Sequence, residues 1–80
     1  MRILDVTSNK SLNNVLLYLK IDEAKELCEN IKSLIEANDL YNHCHIDDQD
    51  YFHEITMVIY DENDTHMLNK RSQDLILKDI

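Results

Sequence analysis

The side chains best able to do chemistry in this chain fall in one stretch, His43-Cys44-His45-Ile46-Asp47, followed by Asp48, Asp50, His53 and Glu54. Alternate residues of a β-strand share a face, so His43 and His45 would point one way and Cys44 the other. Two imidazoles at that spacing can share one divalent transition metal ion, with a third ligand from elsewhere. A hairpin offers two sources for it. If His45 lies opposite His53, then His43, His45 and His53 share a face with Ile55 and Met57. If a bulge shifts the pairing by one, Glu54 joins the histidines and His53 leaves. The paired ligand spacing of a zinc finger is missing. The plainer expectation is therefore polar strand histidines on a half-exposed face, with no cofactor.

Other chemistries fit less well. A Cys–His nucleophile needs the two groups within hydrogen-bond reach, and Cys44 beside His43 on a strand does not achieve that. Asp47 and Asp50 could do acid–base work only in a shielded pocket, which a short domain with an acidic hairpin tip hardly provides. Asp47 to Asp50 does not read as a calcium loop, because the central Gly of such a loop is absent and strands flank it. The expectation is a protein that is not an enzyme.

The elements that must position these residues read as follows. Residues 2–7 and 13–20 form two strands around a turn at Ser8 to Ser11, with Val15, Leu17 and Leu19 on one face and Leu16 and Tyr18 on the other. Residues 23–37 form a helix, because Ala24, Leu27, Cys28, Ile31, Leu34 and Ile35 follow the spacing of one helical face. Asp22 is its expected N-cap and Asn38-Asp39 its stop, with Asn taking the left-handed position. Residues 40–46 and 52–60 form a hairpin around the acidic loop 47–51. After a turn at Asp61 to Asp64, with Asp64 or Thr65 as cap, residues 66–78 form a second helix.

The predicted fold class is α+β, in the order ββαββα: a single domain over residues 1–80 with a four-stranded, largely antiparallel sheet and both helices on one face. Leu27, Ile31, Leu34, Val15, Leu17, Ile55, Met57 and Leu75 would share its core. The other face would carry Ile3, Leu16, Tyr18, Val58 and Tyr60. That is too apolar for water alone, so a homodimer or a partner should cover it.

Composition narrows the function. The 80 residues include neither Gly nor Pro, so no glycine loop can cradle phosphate, and Asn and Asp must make the turns. No apolar run is long enough to cross a membrane, and Arg2 is followed by Asp5 rather than by a signal-peptide core. A cytoplasmic location is expected, with Cys28 and Cys44 reduced and each a small buried apolar group. Net charge is −8, unevenly spread: residues 33–69 hold nine acidic side chains, all four histidines and no Lys or Arg. Such a segment repels nucleic-acid phosphate and suits a basic protein surface.

The His-x-His strand, His43-Cys44-His45, followed by Glu-Ile-x-x-x-Ile-Tyr from Glu54 to Tyr60, resembles short uncharacterised proteins of low-GC bacteria and their phages. The similarity spans roughly residues 15–77 and implies no particular activity. The expected function is a non-enzymatic protein-binding module: a small acidic inhibitor, immunity-type or accessory regulatory protein. Asp47, Asp48, Asp50, Glu54, Asp61 and Glu62 would meet a basic partner, and Tyr18 and Tyr60 would line the apolar face. The alternative is a metal- or small-ligand-binding module on His43, His45 and His53.

Overall fold

Short ladders and two capped helices make up the chain. The computed structural model describes residues 1–38, 40–48, 50 and 52–80. Its elements are β1 (Ile3–Asp5), β2 (Lys10–Leu12), α1 (Ile21–Ala37), β3 (His43–Asp47), β4 (Glu54–Val58) and α2 (Lys70–Lys78), an α+β arrangement. Asp39, in the expected helix stop, and Gln49 and Tyr51, in the expected hairpin loop, lie outside the described residues.

The four strands make two antiparallel two-stranded sheets, β1–β2 and β3–β4, and not one four-stranded sheet. The chain divides into two compact units, Tyr18–Tyr60 and Met1–Leu17 with Asp61–Ile80. Each holds one hairpin and one helix, so the shared sheet with both helices on one face is not formed.

In the unit of the two termini, Asp5 sets the first turn. Its carboxylate accepts from the backbone N–H groups of Thr7 and Ser8 and from the Ser8 hydroxyl, and Asn9 supplies a left-handed φ of 58°, which Asn tolerates better than most residues. The turn therefore closes earlier than expected, with Ile3 opposite Leu12 and Asp5 opposite Lys10. β1 offers only three residues to this ladder, so pairing ends at Leu12 and the apolar run that follows outruns its partner. The expected strand 13–20 does not form. Leu16 is 74% exposed and Tyr18 89% exposed. Asn69, not Asp64 or Thr65, caps α2, its side chain accepting from the Ser72 N–H at 2.8 Å. The Arg2 guanidinium donates to the Leu75 and Ile76 carbonyls, placing a cation at the negative end of the helix.

In the central unit α1 begins two residues before the expected start. Lys20 is the N-cap, and its N–H donates to Glu23 Oε1 at 2.8 Å. This is half of a capping box, because a Lys side chain cannot accept a bond in return. Asn38 ends the helix at φ 49°, its N–H returning to the Ile35 carbonyl. α1 packs on β3. Its least exposed positions are Glu23, Ala24, Leu27, Asn30 and Leu34, while Cys28, Ile31 and Ile35 remain exposed. A hairpin is too narrow to cover the whole predicted apolar face.

The tight core is accordingly small. Leu34 is 7% exposed and Ile46 is 5% exposed, and no other described hydrophobic residue is buried to this degree. Leu27, Ile55 and Met57 are half-buried beside them in the same unit. The expected core members Val15 and Leu17 are exposed, and Leu75 is half-buried in the other unit. One shared eight-residue core therefore does not exist.

Candidate functional site

The β3–β4 hairpin decides which side chains meet. Its ladder pairs His43 with Val58, Cys44 with Met57, His45 with Thr56, Ile46 with Ile55 and Asp47 with Glu54. Alternation follows directly. Cys44, Ile46, Ile55 and Met57 form the inner, less exposed face, and His43, His45, Asp47, Glu54, Thr56 and Val58 form the outer one. The structure adopts neither of the two registers expected: His45 lies opposite Thr56, three residues beyond His53, and this regular five-pair ladder puts Glu54 on the histidine face without a bulge. β-branched Ile46 and Ile55 face each other inside, which favours this register because a one-residue slip of either strand would turn its isoleucine outward.

His45 is the centre of the outer face. Its Nδ1 lies 2.8 Å from Glu54 Oε1 and 2.7 Å from Thr56 Oγ1. The Thr56 hydroxyl donates to Glu54 Oε1 at 3.3 Å, closing a three-residue network. With Nδ1–H donated to the carboxylate, the lone pair of a neutral His45 ring sits on Nε2. The His43 ring stands edge-on to it, with centroids 4.7 Å apart and planes at 69°. Asn30 of α1 donates to the His45 carbonyl at 3.3 Å, tying the strand to the helix behind it.

His53 does not belong to this group. It precedes β4, and its Nδ1 lies 2.5 Å from Asp48 Oδ2. Asp48 also accepts from the N–H groups of Phe52 and His53. The His53 imidazole, and then these backbone donors, hold the Asp48 carboxyl below the usual carboxylate range. Asp48 is thus a brace of the hairpin loop as well as an acidic residue near its tip. The expected ligand trio His43, His45 and His53 is not assembled, since alternation and the loop turn His53 toward Asp48. Among the described residues no group of three or more His, Cys, Asp or Glu side chains is arranged to hold a metal ion.

The remaining candidates scatter. Asp47, Asp50 and Glu54 are exposed on or beside the hairpin. Asp61 and Glu62 lie in the other unit, where the half-buried Asp61 carboxylate accepts from the Asn63 N–H at 2.9 Å and Glu62 is exposed. The apolar sheet face is not formed. Leu16 and Tyr18 belong to no strand, Tyr60 lies beyond the end of β4, and Ile3 lies in the other sheet, so Val58 stands without the expected neighbours. Cys28 is exposed, not a buried apolar group, because it falls on the flank of α1 that the hairpin does not reach, and Cys44 is half-buried. What the sequence reading missed is a repeated pairing of histidine with carboxylate through Nδ1: His45 with Glu54, His53 with Asp48 and His66 with Asp64. Only the last has a local signal, the Asp-x-His spacing. The other two depend on the hairpin register and its loop.

No helix among the described residues is long and apolar enough to cross a membrane. Comparison with protein-family models, with curated proteins and with solved structures finds no match.

Proposed function

We propose that this chain is a non-enzymatic protein-binding module, a small acidic inhibitor, immunity-type or accessory regulatory protein of a bacterium or phage. Its β3–β4 hairpin meets a basic surface on the partner protein. The observation that supports this reading most is the make-up of the hairpin. Asp47 and Glu54 face each other at the end of a regular ladder, Asp50 is exposed in the loop beyond, and no Lys or Arg lies anywhere from residue 33 to residue 69. Carboxylates fixed on a paired strand present their charge in one geometry, which favours steering and orientation of a basic partner. Affinity capture followed by mass spectrometry, run beside the Asp47→Asn, Asp50→Asn, Glu54→Gln variant, tests it. The partner should be a protein with a basic contact surface, and the variant should lose it. Equal capture by both would count against the hairpin.

A second reading rests on the His43–His45 contact. A carboxylate on Nδ1 fixes the orientation of an imidazole and leaves Nε2 free to ligate, as the outer-shell partners of metal-ligating histidines do. Under that reading His43 and His45 supply two ligands to a divalent transition metal, and Glu54 positions His45. Zinc titration followed by thermal melting discriminates between the two readings.

A further inference from the structure

The apolar run Val15-Leu16-Leu17-Tyr18-Leu19 takes no part in either sheet and is exposed throughout. It is apolar on both faces of a strand, and it is followed by Lys20, whose backbone is extended at φ −69° and ψ 160°. Burying such a run in a ladder is favourable twice over, through its apolar side chains and through its backbone groups. The same chain also carries an open place for it. β3–β4 is a two-stranded sheet, so the outer edge of β4 has no ladder partner among the described residues. The Asp48 N–H bonds the His53 carbonyl just beyond the ladder. Antiparallel alternation then turns the backbone N–H and C=O groups of Glu54, Thr56 and Val58 outward.

We propose that two copies of this chain pair by strand exchange, residues 14–20 of each adding antiparallel to the outer edge of β4 in the other. Matching of faces and charges selects one register. Tyr18 lies opposite Thr56 and Leu16 opposite Val58, which extends the outer face, and Lys20, whose backbone N–H and C=O stay in the cap of α1, ends the strand with its ammonium beside the Glu54 carboxylate. Val15, Leu17 and Leu19 then continue the inner face of Ile55 and Met57. A slip of one residue would exchange the two faces. A slip of two would separate Lys20 from Glu54, and parallel addition would put Lys20 at the Val58 end. Donor strand and acceptor edge lie on the same chain, so reciprocal insertion between two copies satisfies both edges and both strands at once and closes the pair with two-fold symmetry. This is why the occupant is a second copy and not an unrelated chain. The proposal shares Glu54 with the surface offered to a basic partner, while Asp47 and Asp50 lie off this edge, so sedimentation of the isolated chain tests the pairing separately from partner capture.

The test uses the full chain. In a Cys28→Ser, Cys44→Ala background, chains with Tyr18→Cys are mixed with chains with Thr56→Cys under mild oxidation. Opposed residues of a hydrogen-bonded pair have Cα atoms about 5.5 Å apart, within disulfide reach. A covalent dimer of twice the 9.5 kDa chain mass should form in the mixture much faster than in either sample alone. In sedimentation equilibrium of the reduced native-cysteine protein, Lys20→Glu or Glu54→Lys alone should weaken dimerisation about three- to tenfold, and the two together should restore it to within about twofold. A native chain that sediments as a monomer at millimolar concentration overturns the proposal. So does a double-cysteine chain that links within itself at monomer mass.

Discussion

Leu34 and Ile31 sit on the same helix, and the structure gives them different weights. Replacing either with Ala removes three carbon groups, about 2.4 kcal/mol of transfer free energy if fully buried. Leu34 is 7% exposed and Ile31 37% exposed. Scaling by the buried fraction leaves about 2.2 kcal/mol at Leu34 and about 1.5 kcal/mol at Ile31. Leu34 faces packed side chains, so its removal leaves a cavity that adds about 1–2 kcal/mol, whereas water fills the gap at Ile31. Ala also regains about 0.4 kcal/mol of helix propensity over Ile. The net expectation is a loss of about 3–4 kcal/mol for Leu34→Ala and about 1 kcal/mol for Ile31→Ala. A chain of this size has only about 4–12 kcal/mol to lose. Urea unfolding followed by far-UV circular dichroism reads the difference. With a slope near 1 kcal/mol per molar urea, the midpoints should fall by about 3 M and about 1 M respectively. Equal shifts, or a Leu34→Ala loss below about 0.5 kcal/mol, would refute the assignment of Leu34 to the centre of the α1–β3 contact.

Asp48 gives the hairpin an acid limit. Its carboxyl is held below the usual range by the His53 imidazole and by the loop N–H groups, so its contribution to stability is present above the ordinary carboxylate value and is lost as pH falls through the depressed one. In a pH series of melting temperatures, Asp48→Asn should flatten that acid limb, and an unaltered limb would show that Asp48 does not brace the loop. For metal, the protein-binding reading expects a melting curve unmoved by zinc or chelator. A rise with zinc that disappears in His43→Ala and His45→Ala would establish the metal reading in its place.

How far the fold is legible in the sequence depends on where its forces are local. α1 is legible because its apolar spacing, its acidic first turn and Asn38 all act within the helix. The hairpin is legible for a similar reason, since β-branched and alternating residues at 54–58 and 43–47 leave few alternatives. The strand predicted at 13–20 does not form because an unbroken run of strand-prone apolar residues reports a capacity for pairing and not the presence of a partner. β1 turns back too early, at the Asp5 cap, to supply one. The single core failed with it, since Val15 and Leu17 were its bridge between the two hairpins. At the candidate site the sequence named His43, His45 and Glu54 but left their register open. The inward pairing of Ile46 with Ile55 resolves it. The Asp48–His53 brace stayed hidden because it forms across a loop, through a backbone path that residue types alone do not specify.

The proposed function is tested most directly by the association rate of the purified chain with the partner it captures, measured over a range of ionic strength. Opposite charges steer encounter, and salt screens them over about 8–10 Å. The native chain should associate fast at low salt and slow steeply as salt rises. The Asp47→Asn, Asp50→Asn, Glu54→Gln variant should associate roughly tenfold more slowly at low salt with a much flatter salt dependence. An unchanged rate and an unchanged salt slope in that variant would contradict the role given to the hairpin.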